Sequence, residues 1–281
     1  MIRIGLIDYF LDQYHAVHYP GWLRDASCGE VCVTGAWALI DKPGGKSNAE
    51  CCANLGIMLY SSPEEVIADS DGIIVMAPDH PEMHERLCQM PLSSGKPTYV
   101  DKTFAPDRAS ALRLVKLALK SGTPFFSASA LRFAPEYAGV DTEGIVHFSS
   151  RGPGRFYNYG IHQLEPIVAL MGTGIARVLY FGCGPAEGFL FQYGDGRTAT
   201  ITHLGGNCEF NVALCYENGK GVVLPLAEGY YPQFIRQLVA FFQDLVPRVN
   251  WKETVEIITA LEAGKMAMAS LGQWVPLSQD V

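Results

Sequence analysis

A chain of 281 residues, 48% hydrophobic and 18% charged, can bury one large core or two ordinary ones, and this composition excludes wholesale disorder. Its formal net charge of −8, with no Lys/Arg cluster to override the average, argues against nucleic acid and anionic membrane as partners. The opening segment lacks a signal-peptide cleavage pattern and no apolar stretch is long enough to span a bilayer, so a soluble, cytoplasmic protein is expected.

The first part alternates strand and helix. Ile2–Ile7 is an apolar run of strand length, Val31–Leu39 a second, and Gly72–Ala77 the clearest buried parallel strand. Thr98–Val100 and Pro124–Ser127 complete a set of five. Between them, Ser62-Pro63-Glu64-Glu65 reads as a capping box with proline at the first helical position. Pro106–Lys120 carries a helical apolar stripe and stops at Gly122. Such alternation predicts a parallel sheet with right-handed crossovers, a Rossmann-like domain over residues 1–127.

Beyond residue 128 the pattern changes. Arg177–Cys183, Gly188–Tyr193, Arg197–Leu204, Glu209–Tyr216 and Gly221–Leu224 read as closely spaced strands. Gly194-Asp195-Gly196 and Glu217-Asn218-Gly219 are hairpin turns between them. One helix precedes the set (His162–Met171) and two follow it (Pro232–Leu245 and Lys252–Leu271). Residues 128–281 are therefore expected to form an α+β domain with a largely antiparallel sheet, the boundary lying near Ala128–Arg132. The fold class is α/β with this second, α+β, domain. The eight cysteines, with no Cys-x-x-Cys, read as reduced core thiols, and Cys28, Cys32, Cys208 and Cys215 lie in strand-like contexts.

Four segments carry chemistry. A dinucleotide fold follows its first strand with Gly-x-Gly-x-x-Gly, because glycines let backbone N–H groups approach the pyrophosphate. Here the three positions hold Asp8, Phe10 and Gln13, so side chains and two carboxylates (Asp8 and Asp12) occupy that space. Near the end of the second strand, where an acid would grip the ribose, stands Trp37, with Asp41 four residues later. Lys102, after Asp101 at the end of the fourth strand, is where an open α/β sheet places ligand chemistry. A free lysine has a pKa of about 10.4, so it serves as a base only if desolvated, or stays charged and orients an oxygen. His162, in Asn158-Tyr159-Gly160-Ile161-His162, is expected to open an apolar helix, with Gly160 supplying an unusual backbone angle. Asp79, in Ala77-Pro78-Asp79-His80-Pro81, can cap the next helix. The pairs His80/His84 and His15/His18 have metal-compatible spacing but no supporting carboxylates, so no metal is expected.

In this order the segments resemble the glucose–fructose oxidoreductase/inositol dehydrogenase/MocA (Gfo/Idh/MocA) family over most of the chain. Gly95-Lys96-Pro97 through Asp101-Lys102-Thr103 fits its Gly-Lys-x, strand, Glu-Lys-Pro, with Asp for Glu and Thr for Pro. Ala77-Pro78-Asp79 matches Thr-Pro-Asn, His84 a helix histidine, Asn158–His162 the Asp-x-Gly-x-His motif, and Arg132-Phe133-Ala134-Pro135 the opening of the second domain. The resemblance implies an NAD- or NADP-dependent dehydrogenase of a small sugar- or polyol-like substrate. It implies that Lys102 polarises or deprotonates the oxygen and that His162 is the acid/base, steered by Asn158 in place of aspartate. It places the cofactor among Asp8, Tyr9, Phe10, Trp37, Ala77, Pro78, Asp79, His84 and Asp101, and the substrate near Arg132 and Tyr159. A homo-oligomer is expected, joined through an open face of the second sheet. Two alternatives stand beside this reading. One is a relative that keeps the fold as a ligand-sensing or interaction module without a dinucleotide; the other is a lyase or isomerase needing no redox cofactor.

Overall fold

Ile2–Asp8 (β1) is apolar through its middle and is flanked in parallel by Val31–Ala38 (β2) and Gly72–Met76 (β4). Met58–Leu59 (β3), Thr98–Val100 (β5) and Phe125–Phe126 (β6) complete an all-parallel sheet of order β3-β2-β1-β4-β5-β6. This is the doubly wound order, whose switch point lies between β1 and β4. Its crossovers are Tyr14–Ala26 (α1), Asn48–Leu55 (α2), Pro63–Asp69 (α3), Pro81–Leu87 and Gln89–Ser93 (α4, α5) and Arg108–Ser121 (α6). The computed structural model describes residues 1–278; residues 279–281, which the sequence reading includes in the second domain, lie outside the described residues.

The second sheet contains Ile145–Gly152 (β7), Ile175–Tyr180 (β8), Glu187–Tyr193 (β9), Thr198–His203 (β10), Asn211–Tyr216 (β11), Gly221–Val223 (β12) and Trp274–Pro276 (β13). Its order is β12-β11-β7-β10-β9-β8-β13, antiparallel except for the β7/β10 pair. The helices of this part of the chain are Phe156–Met171 (α7), Tyr230–Asp244 (α8) and Trp251–Met268 (α9). Both expected hairpins, β9–β10 and β11–β12, are present. The central strand β7 has no counterpart in the sequence reading, because His147, Ser149, Ser150 and Arg151 break its apolar alternation.

Two compact units result. The first holds Met1–Ala128 with Phe234–Trp251; the second holds Ser129–Gln233 with the chain from Lys252 on. The sequence boundary assigns everything after 127 to one domain, whereas most of α8 packs with the parallel sheet. Phe234 lies 5.4 Å from the Tyr99 ring and Phe241 5.0 Å from Phe126, so the apolar face of α8 covers that sheet.

In the second unit, α7 packs on the mixed sheet at β7 and β10, and α9 meets α7 at Phe156. Phe156 is fully buried and stacks on Phe189 at 3.9 Å. A Cβ added at Gly264 would lie 2.3 Å from the Phe156 ring, which has no room to retreat. Gly264→Ala is therefore expected to cost about 1–3 kcal/mol by overpacking, read in urea unfolding. Gly160 is an ordinary helical residue and not the bend that the sequence reading expects; a Cβ there would meet Phe156 at 2.7 Å. On the other sheet face Thr198, Thr200 and Thr202 of β10 and Ala213 of β11 are half-buried, alternating with buried Ala199, Ile201, Val212 and Leu214.

Three local expectations are corrected. Helix α7 begins at Phe156, so His162 lies inside it and does not open it. No local residue caps that start: the Phe156 N–H donates to Glu187 of β9 at 2.5 Å, a partner invisible in local sequence. Asp79 has φ of 57° and does not cap α4, whose N-cap, His80, makes no side-chain cap bond. Cys28 and Cys183 are exposed, and only Cys51, Cys52 and Cys88 are core thiols; Cys28 sits in a left-handed turn after α1 and not in a strand.

Candidate functional site

The first group of candidate residues gathers at the carboxyl ends of β1, β4 and β5, where the doubly wound order leaves its crevice. Asp101 follows β5 and is 2% exposed. Its carboxylate lies 2.7 Å from His15 Nδ1 and accepts the Tyr99 hydroxyl at 3.0 Å. Burial works against its charge, yet the His15 ring, Lys102 and His84 hold it well below the usual carboxylate range. Asp8, at the end of β1, is also buried but has no cation partner among the described residues. Burial pushes it up to about 7, in spite of hydrogen bonds from the Gln13 side chain and the Tyr9 N–H. Like-charge repulsion from Asp101 adds to the rise.

Lys102 is half-buried beside this pair, and its peptide bond to Thr103 is cis. The turn after it is held by His84. Burial pushes that imidazole down, and its Nδ1–H donates to the carbonyls of Thr103 at 2.9 Å and Phe104 at 3.2 Å. His84 thus fixes the turn where the family motif carries proline, and its buried Nε2 has no partner among the described residues. Ala77 is buried, Pro78 half-buried and Asp79 exposed. Trp37, opposite Ile7 in the register of β1 and β2, is half-buried. The paired histidines do not converge: His15 goes to Asp101, His18 to the Tyr14 carbonyl and His80 to Glu82.

The loop after β1 is the part that a dinucleotide fold would give to phosphate. Here Tyr9, Phe10 and His80 cluster, with Tyr9 4.9 Å from His80 and Lys42 5.4 Å from the Phe10 ring. Leu11 is fully buried. The N–H groups of Tyr9, Leu11, Gln13 and His15 all donate to the chain's own oxygens. The residues present therefore do not fit a pyrophosphate in the glycine-loop manner.

The second group lies on α7 and the 3-10 turn Ala130–Phe133. His162 Nδ1 is 2.6 Å from Ser129 Oγ, and the ring meets Tyr159 edge-on at 5.3 Å. Ser129 is fully buried, its Oγ accepts the Leu131 N–H, and its own N–H donates to Glu165 at 2.9 Å. Asn158, expected to steer His162, is exposed, and Ser129 is the residue found at Nδ1. Sequence reasoning missed Ser129 because 33 residues separate it from His162. Arg132 is turned into the unit: it pairs with Glu165 at 3.1 Å and also with Glu253.

The parallel sheet with a lysine at a strand end, followed by a mixed sheet packed on helices, is the fold of the Gfo/Idh/MocA dehydrogenases. The probable dehydrogenase of Thermotoga maritima superimposes with a TM-score of 0.81 at 14% identity, covering 100% of both chains. The scyllo-inositol dehydrogenase of Lactobacillus casei, solved with NAD(H) and scyllo-inositol, gives 0.79 at 12%, covering 98% of this chain and 99% of that one. At the sequence level the chain is 30% identical to inositol 2-dehydrogenase 1 of Saccharopolyspora erythraea over 172 residues, 53% of this chain. It spans about half the length of that relative, 50%. No family model matches the chain. The resemblance to the Gfo/Idh/MocA family drawn from the ordered motifs is borne out in the fold and in this partial sequence match. No helix among the described residues is long and apolar enough to cross a membrane.

Proposed function

We propose that the chain is an oxidoreductase of the Gfo/Idh/MocA type acting on a hydroxyl of a small polyol- or sugar-like substrate, with NAD or NADP as its cofactor class. The observation that carries this reading is Lys102 at the carboxyl end of β5, its turn anchored by buried His84. An ammonium there stabilises the substrate oxygen as its proton leaves. His162, with Nδ1 engaged by Ser129, is the acid/base residue that the resemblance assigns to the second unit. Asp101 balances the lysine charge and is itself held by His15 and Tyr99. The inositol dehydrogenases among the relatives support the substrate class and favour this reading over a non-enzymatic module.

The test is turnover of purified protein on inositol isomers and aldoses with NAD and NADP, followed by nicotinamide absorbance. Reduction with at least one pair is expected. Folded protein inert on every pair overturns the reading. Within it, Ser129→Ala is expected to lower kcat by about tenfold with little change in KM. Its stability loss stays near the ~1 kcal/mol of a lost cap. Ser129→Thr, which keeps a hydroxyl, restores the rate, whereas a purely structural serine would show no such split.

We further propose a cytoplasmic homo-oligomer joined through the half-buried face of the second sheet, in which the parallel-sheet unit serves the cofactor and the second unit the substrate. Gel filtration at micromolar concentration is expected to give a multiple of the 30.7 kDa chain mass. A monomer at every concentration removes that part of the proposal.

A further inference from the structure

The loop after β1 does more than lack glycine. Four of its N–H donors are spent: Tyr9 on Asp8 at 2.7 Å, Leu11 on Asn48 at 3.0 Å, Gln13 on the Leu11 carbonyl at 2.8 Å and His15 on the Gln13 side chain at 2.7 Å. The loop after β2 is latched onto it. Lys42 Nζ donates to the Asp12 carbonyl at 2.8 Å and the Lys46 N–H to the Asp12 carboxylate at 3.2 Å. Asn48 spans both loops, accepting from Leu11 and donating to the Ile40 carbonyl at 2.8 Å. Gly45 makes this closure possible, since a Cβ there would lie 2.5 Å from the Asp12 carboxylate. Across the switch point, the Tyr9 and His80 rings meet at 4.9 Å, and His15 reaches Asp101 at 2.7 Å. A pyrophosphate entering here would have to break these bonds and would face the carboxyl groups of Asp8 and Asp12. Those four N–H groups would give nothing in return, because an anion is held at a helix start by unsatisfied N–H groups.

We infer that the first unit does not hold a dinucleotide by its pyrophosphate: the chain's own side chains have taken over that seat, and any nicotinamide ligand is held from its nicotinamide end. The inference goes beyond the proposed activity and stands or falls separately from it. The experiment is calorimetric titration of the full chain with ADP-ribose, with NADH and with reduced nicotinamide mononucleotide. ADP-ribose carries the pyrophosphate and adenosine without nicotinamide. The expected result is no ADP-ribose binding tighter than about 1 mM, with NADH and the mononucleotide agreeing within about tenfold. ADP-ribose binding at micromolar concentration overturns the inference, whatever the turnover. So does NADH binding more than a hundredfold tighter than the mononucleotide. If no ligand of the three binds, the inference holds and the NAD(P)-dependent reading above falls.

Discussion

Lys102→Met lowers turnover by about 10²–10⁴-fold and leaves the unfolding midpoint within experimental scatter. The size follows from what a positioned proton-handling or charge-stabilising group contributes. The neutral effect on stability follows from its setting. The Lys102 ammonium makes no hydrogen bond or ion pair among the described residues, and the turn that carries it is held by His84 and not by its own side chain. Methionine keeps the length and apolar stem, so the half-buried part of the side chain still packs. Steady-state kinetics and thermal melting, run on the same preparation, check both halves. A variant with unchanged kcat would remove Lys102 from the chemistry, and a variant with a collapsed melt would make it a structural residue.

Arg132→Met is expected to cost about 3–5 kcal/mol, the largest stability effect of any single change considered. The guanidinium is 10% exposed and serves Glu165, 3% exposed, and Glu253 together. Glu165 has further partners in the Ser129 N–H, so it cannot swing to water without dismantling the 3-10 turn. Burial already pushes the Glu165 carboxyl up in spite of Arg132, and removing the arginine pushes it further. A raised carboxyl pKa in the folded state means that the folded protein binds the proton more tightly than the unfolded one. Stability then falls as pH rises from the unfolded value, about 4.3, through the folded one. The deficit of Arg132→Met is therefore expected to be smaller at pH 5 than at pH 8, measured by urea unfolding. Removing Glu165 as well, in Arg132→Met/Glu165→Gln, recovers part of the loss, because the unpaired buried charge is gone.

Arg132 also shows where motif reading and structure part. As the residue opening the family's second domain it is expected near substrate. Its guanidinium is in any case committed to two carboxylates of its own unit. His162 is similar: the motif points to the residue at position 158 as its partner, but the hydroxyl at Nδ1 belongs to Ser129. A side chain three or four positions away in sequence is an obvious helical neighbour. A serine from a separate turn becomes one only through tertiary packing, and nothing in Ser129 itself distinguishes it from any other serine.

Local composition by itself determined the parallel sheet, the two hairpins and the position of Lys102 at a strand end, because apolar runs, Gly/Asn turns and strand-to-helix junctions are written over a few consecutive residues. The same holds for the loss of the glycine loop, which is read directly from Asp8, Phe10 and Gln13. Only the tertiary structure decided that β7 is the centre of the second sheet, that Glu187 starts α7, that most of α8 packs on the parallel sheet, and that Asn48 and Lys42 latch the loop after β1. Each of those depends on a partner tens of residues away. A polar strand is stable in the middle of a sheet once neighbours satisfy its backbone, and a helix start needs a carboxylate without regard to where in the chain it comes from.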